Sequence, residues 1–185
     1  GQTRVAHISA LDEILRDMDG VDDQGLRMFR LLQGDVGSGK TAVAFLAMLK
    51  AAERGAQSCM LTPTEVLTAQ HLRTLRSMAE GIRRPDGSGD LRVELLTGGV
   101  KGKARQRLLE DVGSGEVDIL VATHAVLSSA STAFRDLGLA VVDEEQRFGV
   151  EQRDRLTAFA QHVLYLSATP IPRSLALALY GDMEV

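Results

Sequence analysis

The amino-acid sequence predicts one α/β domain, a mostly parallel β-sheet with helices on both faces. Three observations predict it. Six strand-like segments alternate with helix-like ones along the chain, the pattern left by crossover connections. Several of the strands are near-continuous apolar runs, VDILVAT (117–123) and LGLAVVDE (137–144) among them, as strands covered on both faces must be. The third is bulk composition: 185 residues, 44% hydrophobic and 25% charged, describe a single globular domain large enough to bury a core without disulfides or metal.

Each element has its own signal. Ile8, Leu11, Ile14, Leu15 and Met18 recur at helical spacing over 8–18. MFRLLQ (28–33) reads as a short strand, Gly34 to Gly39 as a loop, and TAVAFLAMLKAAERG (41–55) as an apolar helix closed by Gly55. QSCMLT (57–62) is strand-like, and Pro63-Thr64 opens a helix over 65–82. RRPDGSGD (83–90) is a flexible link at an exposed loop tip. LRVELLT (91–97) is a strand, followed by Gly98-Gly99 and a basic helix over 101–112. After the strands at 117–123 and 137–144 come a polar helix over 150–160, the strand HVLYLSAT (162–169) and a final helix over 173–182.

Composition also sets limits. With one cysteine, Cys59, the chain can form no internal disulfide and no multi-cysteine zinc site; an intracellular, reducing compartment is expected. No apolar run reaches bilayer-spanning length, and the first residues lack the basic start and apolar stretch of a secretory signal. A net charge of −4 argues against a protein that coats polyanions, though not against one that grips phosphates through amides and hydroxyls. The last residues, Met183-Glu184-Val185, stand where another strand should begin, so a piece of a longer protein is expected.

Two motifs carry chemistry. Gly34-Asp35-Val36-Gly37-Ser38-Gly39-Lys40-Thr41 fits G-x-x-x-x-G-K-[ST] in full, after a strand and opening a helix. Its glycines permit a tight loop whose N–H groups face phosphate oxygens, and the helix start adds partial positive charge. Lys40 reaches the β- and γ-phosphates of ATP, and the Thr41 hydroxyl suits Mg²⁺. The bland alternative, a Gly-rich turn with a chance Lys-Thr, does not explain the context. The second motif is Asp143-Glu144-Glu145 at the exit of a buried strand. Asp143 suits a hard cation such as Mg²⁺, and Glu144 can take a proton from an attacking water. Glu145 reads as a solvated strand end. Crowded carboxylates repel one another, and a divalent cation relieves this. Without one, the segment should be incompletely paired.

Asp143-Glu144-Glu145-Gln146 followed by Arg147-Phe148-Gly149-Val150 resembles motif II of superfamily 2 helicases. With Ser167-Ala168-Thr169-Pro170-Ile171-Pro172-Arg173 as motif III, the chain resembles the RecG family of DNA translocases. Pro63-Thr64-Glu65, Thr97-Gly98, Lys101-Gly102-Lys103-Ala104-Arg105 and Thr123-His124-Ala125 complete an ordered set over nearly the whole chain. The translocase module of transcription-repair coupling factors shares several of these motifs; Glu65 and the Lys-Gly-Lys-Ala-Arg segment favour RecG. Gln146 and the tail 167–182 look most like organelle-targeted plant and algal members, which leaves bacterial cytoplasm, plastid or mitochondrion as compartments.

The resemblance implies a RecA-like P-loop NTPase domain spanning 1–185, with ATP and Mg²⁺ as cofactors and branched or double-stranded DNA as partner. It implies a monomer acting without a membrane. It also implies a second RecA-like domain, which carries an arginine finger, and a wedge domain, both outside this sequence. Residues 34–41 hold phosphate; Thr41 and Asp143 hold Mg²⁺; Lys40, Asp143, Glu144 and Gln146 are the catalytic set. Gln146 stands where many relatives have His, and links the γ-phosphate site to Ser167, Ala168 and Thr169, which couple hydrolysis to movement. The Ser167 strand is expected between the strands of Gly34 and Asp143. Pro63, Thr64, Thr97, Gly98, Thr123 and His124 grip the DNA backbone without reading bases, although a Thr after a strand is also a routine helix cap. The family's adenine-recognising Gln falls on His7 when counted back from Asp17, with Gln2 the other candidate. Lys101, Lys103, Arg105 and Arg107 form the basic cluster, either a solvated helix start or a phosphate patch. Cys59 reads as a buried thiol; His71 and His162 read as structural. A nucleotide-gated binding module without catalysis is the alternative to a motor.

Overall fold

A computed structural model describes residues 2–19, 28–34, 39–123, 134–143 and 160–167. Ten elements follow in order: α1 (Gln2–Met18), β1 (Phe29–Gln33), α2 (Lys40–Glu53), β2 (Gln57–Leu61), α3 (Glu65–Ala79), β3 (Val93–Leu96), α4 (Gly102–Ser114), β4 (Ile119–Ala122), β5 (Leu137–Asp143) and β6 (His162–Ser167). The six strands form one sheet in the order β1-β6-β5-β2-β4-β3, and every pairing is parallel. The expected α/β architecture therefore holds, and β6 lies between β1 and β5 as expected. The helices expected at 150–160 and 173–182 fall almost wholly outside the described residues.

Alternation along the strands builds two cores. Met60, Val121, Val141 and Leu164 share one with Ile14, Met18, Phe45, Met48 and Leu75 of α1, α2 and α3. Their neighbours Cys59, Leu120, Ala140, Val163 and Tyr165 face the other way, with Leu108 and Val112 of α4. That is the period-two geometry of a strand covered on both faces. Phe29 and Tyr165 stack edge-to-face across β1 and β6, with centroids 5.5 Å apart, a favoured aromatic geometry. Cys59 is fully buried, and its apolar surroundings push the thiol up to about 12. Gly138 leaves no room for a side chain: a Cβ there would lie 2.6 Å from Ala56 Cβ.

Two boundaries depart from the sequence expectation. α1 starts at Gln2 rather than Ile8, because Gln2, Thr3 and Arg4 of its first turn add nothing to the apolar spacing. Arg30 of β1 holds that helix through Asp17 (2.5 Å) and Glu13 (3.2 Å). The 83–90 segment is not a loose link. Arg83 bridges Asp90 in antiparallel fashion, Arg84 N–H donates to the Gly89 carbonyl (2.9 Å), and Leu91 N–H to that of Ile82 (2.8 Å). The Arg84 side chain adds the Gly115 carbonyl (2.8 Å) and Asp118 (3.3 Å). Asp118 is itself raised above its usual carboxylate value by burial, against the pull of the Arg92 N–H and Arg84.

Candidate functional site

All six strands point the same way, so their carboxyl ends form one edge of the sheet, where ligands of open α/β folds collect. One half of that edge is made by β1, β6 and β5. Gln33 is level with Ser167, and Leu166 with Asp143. The Ser167 carbonyl accepts from Gly34 N–H at 3.1 Å, so the loop after β1 is tied to the end of β6. α2 then opens at Lys40 with Gly39 as its cap residue, at φ 92° and with no side-chain cap hydrogen bond. The left-handed backbone calls for glycine. The helix start is left open, as an anion site requires.

Lys40 reaches back across this opening. Its Nζ donates to the Gly34 carbonyl and, at 3.2 Å, to that of Ser167. No described carboxylate pairs with it. Among the described residues only carbonyl dipoles hold this ammonium, which leaves its charge available to a phosphate. Thr41 lies in the first turn of α2, half-buried. Thr41 and Asp143 supply a hydroxyl and a carboxylate, hard oxygen donors that suit Mg²⁺. His7 of α1 packs on the same loop: a Cβ on Gly39 would meet its Cε1 at 3.1 Å and its Nδ1 at 3.2 Å. Asp35, Val36, Gly37, Ser38, Glu144, Gln146, Ala168 and Thr169 lie outside the described residues.

β2, β4 and β3 make the other half. The ladder runs on past their ends, with Thr62 N–H on the Ala122 carbonyl (2.9 Å) and Thr123 N–H on that of Leu96 (3.3 Å). Here the polar groups already have partners. Thr64 is the N-cap of α3, its hydroxyl accepting from Leu67 N–H at 3.2 Å. The Thr64 carbonyl accepts from the Thr68 hydroxyl (2.7 Å) and the Thr62 hydroxyl (3.3 Å), and those two hydroxyls are 2.5 Å apart. The Thr97 hydroxyl accepts from Gly99 N–H at 3.3 Å. Thr97 and Thr123 are buried, while Thr64 and Gly98 are exposed and Pro63 half-buried. Lys101, Lys103 and Arg107 are exposed along the first turns of α4, with Arg105 half-buried, and His124 lies outside the described residues.

One residue corrects the sequence reading. His71 is not merely structural: its Nε2 lies 2.7 Å from Asp143 Oδ2. Asp143 thus has a partner at Oδ2, while Glu144 and Glu145, the rest of the acidic segment, lie outside the described residues. Nothing in the sequence relates the two positions, because they sit on different elements with no common period. His162 does behave as read, its Nδ1 accepting from Met28 N–H at 2.9 Å.

Known proteins share this arrangement. The chain is 46% identical over 179 residues to the ATP-dependent DNA helicase RecG of Bacillus subtilis, covering 96% of this chain and 25% of that protein. A RecG structure bound to a three-way DNA junction superposes with a TM-score of 0.77 at 36% identity, over 97% of this chain and 23% of that one. A Sulfolobus solfataricus SWI2/SNF2 ATPase core in complex with double-stranded DNA shares the fold alone, with a TM-score of 0.63 at 18% identity, over 92% of this chain and 32% of its own. The chain thus spans about a quarter of the length of the RecG relative it matches. Residues 5–177 match the family model described as DEAD/DEAH box helicase, and by that match across nearly its whole length the chain belongs to the DEAD/DEAH box helicase family.

Proposed function

We propose that the chain is the ATP-binding motor domain of an ATP-dependent DNA translocase acting on branched DNA, forks and Holliday junctions included, in recombination and repair. The observation that carries the reading is Lys40. Its ammonium rests on the Gly34 and Ser167 carbonyls beside an uncapped helix start, in a family whose members are helicases. Lys40 holds the β- and γ-phosphates, with residues 34–39 cradling them through backbone N–H groups. Thr41 and Asp143 hold Mg²⁺, which neutralises phosphate charge when bound. Glu144 takes the proton from water, and Gln146 relays toward Ser167, Ala168 and Thr169. His7, against Gly39, is placed on the α1 side of the nucleotide.

The second half of the edge grips the DNA backbone through Pro63, Thr64, Thr97, Gly98, Thr123 and His124. RecG relatives about four times as long, one solved on a three-way junction, support branched DNA as the partner. A second RecA-like domain supplies the transition-state arginine, so residues 1–185 alone turn over ATP very slowly. Direct titration with Mg²⁺-ATP tests the reading: saturable binding weakened by Lys40→Ala is expected. No binding at millimolar nucleotide would contradict it.

A further inference from the structure

A side chain from one half of the sheet edge reaches across to the other. α3 begins at the Thr64 cap and packs on β3 and β4, in the half away from the nucleotide. Yet His71, two turns into that helix, reaches the end of β5 and holds Asp143 Oδ2 at 2.7 Å. Both side chains are only 13% exposed, so water competes little for this contact. An ionised carboxylate only accepts, so His71 Nε2 carries the hydrogen. That bond holds the carboxylate in place through Oδ2, and Asp143 so held would offer a hard oxygen donor to Mg²⁺.

The start of α3 is equally fixed. The Thr64 carbonyl takes hydroxyls from Thr62 and Thr68, and Thr62 and Thr68 are both fully buried. Between Thr64 and His71 runs uninterrupted helix, about 10 Å long. A rigid element therefore has one end at the Thr64 loop and a side chain on Asp143. We propose that His71 is a positioning residue that seats Asp143 for Mg²⁺ and ties that seat to the Thr64 loop, so that nucleotide and DNA binding are coupled through α3. The inference rests on the roles proposed above for Asp143 and Thr64.

The test compares the full-length wild type with His71→Ala and His71→Gln. It measures binding of a non-hydrolysable ATP analogue as Mg²⁺ is titrated, the affinity for a branched DNA with and without that analogue, and thermal melting. His71→Ala should raise the half-saturating Mg²⁺ about tenfold, as loss of a group behind a metal ligand does. It should also abolish the analogue's effect on DNA affinity. His71→Gln, whose amide N–H can still reach the carboxylate, should recover most of both, whatever its melting temperature. Wild-type Mg²⁺ dependence and coupling in His71→Ala would overturn the inference alone. So would a His71→Gln that melts like the wild type yet binds like His71→Ala. A wild type that binds no Mg²⁺-analogue at all would overturn the functional reading, and this inference with it.

Discussion

Two helices start at the same edge of the sheet, and they start differently. α3 is closed by its own chain: the Thr64 hydroxyl caps it, and its first turn is braced by Thr62 and Thr68. α2 is left open, with a left-handed Gly39 and no capping side chain. The free N–H groups of a helix start must find partners somewhere. In α3 the partner is built in, so the start is a rigid part that presents its exposed Thr64 to something else. In α2 no described side chain takes that place, and the nearby Lys40 adds positive charge beside it. Local sequence alone sets this difference: a threonine at one cap, a glycine followed by lysine at the other.

Lys40→Ala breaks the comparison most severely. It should lower Mg²⁺-ATP-dependent turnover of the full-length protein about 100-fold or more, while DNA binding without nucleotide stays near wild type; filter or anisotropy binding checks the second half. Gly39→Ala comes next. Left-handed backbone costs a β-carbon about 1–2 kcal/mol, and the new methyl meets His7 at 3.1 Å. Weaker nucleotide binding and a lower melting temperature are expected, with the α3 half untouched.

Thr64→Ala tests the closed start. Loss of the cap should cost about 1 kcal/mol by chemical denaturation and weaken DNA binding. Thr64→Asp sharpens the point, because it keeps the cap but adds a charge that repels phosphate. Stability should return while DNA affinity falls further; if DNA affinity matched the wild type, the Thr64 contact would be wrong.

The smallest effect is a control at the opposite end of the sheet. Burial raises the Asp118 carboxyl above its ordinary 3.8. A raised folded-state value means that the folded protein binds this proton more tightly. Its contribution to stability is therefore present below 3.8 and is lost as pH rises through the raised value. Asp118→Asn should flatten the stability profile on the acid side of neutrality, seen in melts against pH. Nucleotide and DNA binding should not change.

The parts legible in the sequence are those written in contiguous residues. The helix opening at Lys40 and the buried strand ending at Asp143 are local patterns, and both fall where the pattern put them. The early start of α1 was hidden because Gln2, Thr3 and Arg4 add nothing to its apolar spacing. The 83–90 segment looks flexible by composition, yet the Leu91–Ile82 and Arg84–Gly89 hydrogen bonds close it, and Arg84 anchors it to the Gly115 carbonyl and Asp118. His71 is the instructive miss. Its role depends on β2 and β5 being neighbours in the sheet, which places a residue of α3 at a strand end 72 positions away. Burial of threonine hydroxyls at Thr62 and Thr68 likewise becomes intelligible only once both are seen to share one network with the Thr64 carbonyl.

The most direct measurement is phosphate release by the full-length protein as a branched DNA is titrated against fixed Mg²⁺-ATP. The account predicts hydrolysis that rises saturably with the DNA and disappears in Lys40→Ala. Hydrolysis indifferent to branched DNA, or surviving intact in Lys40→Ala, would contradict it.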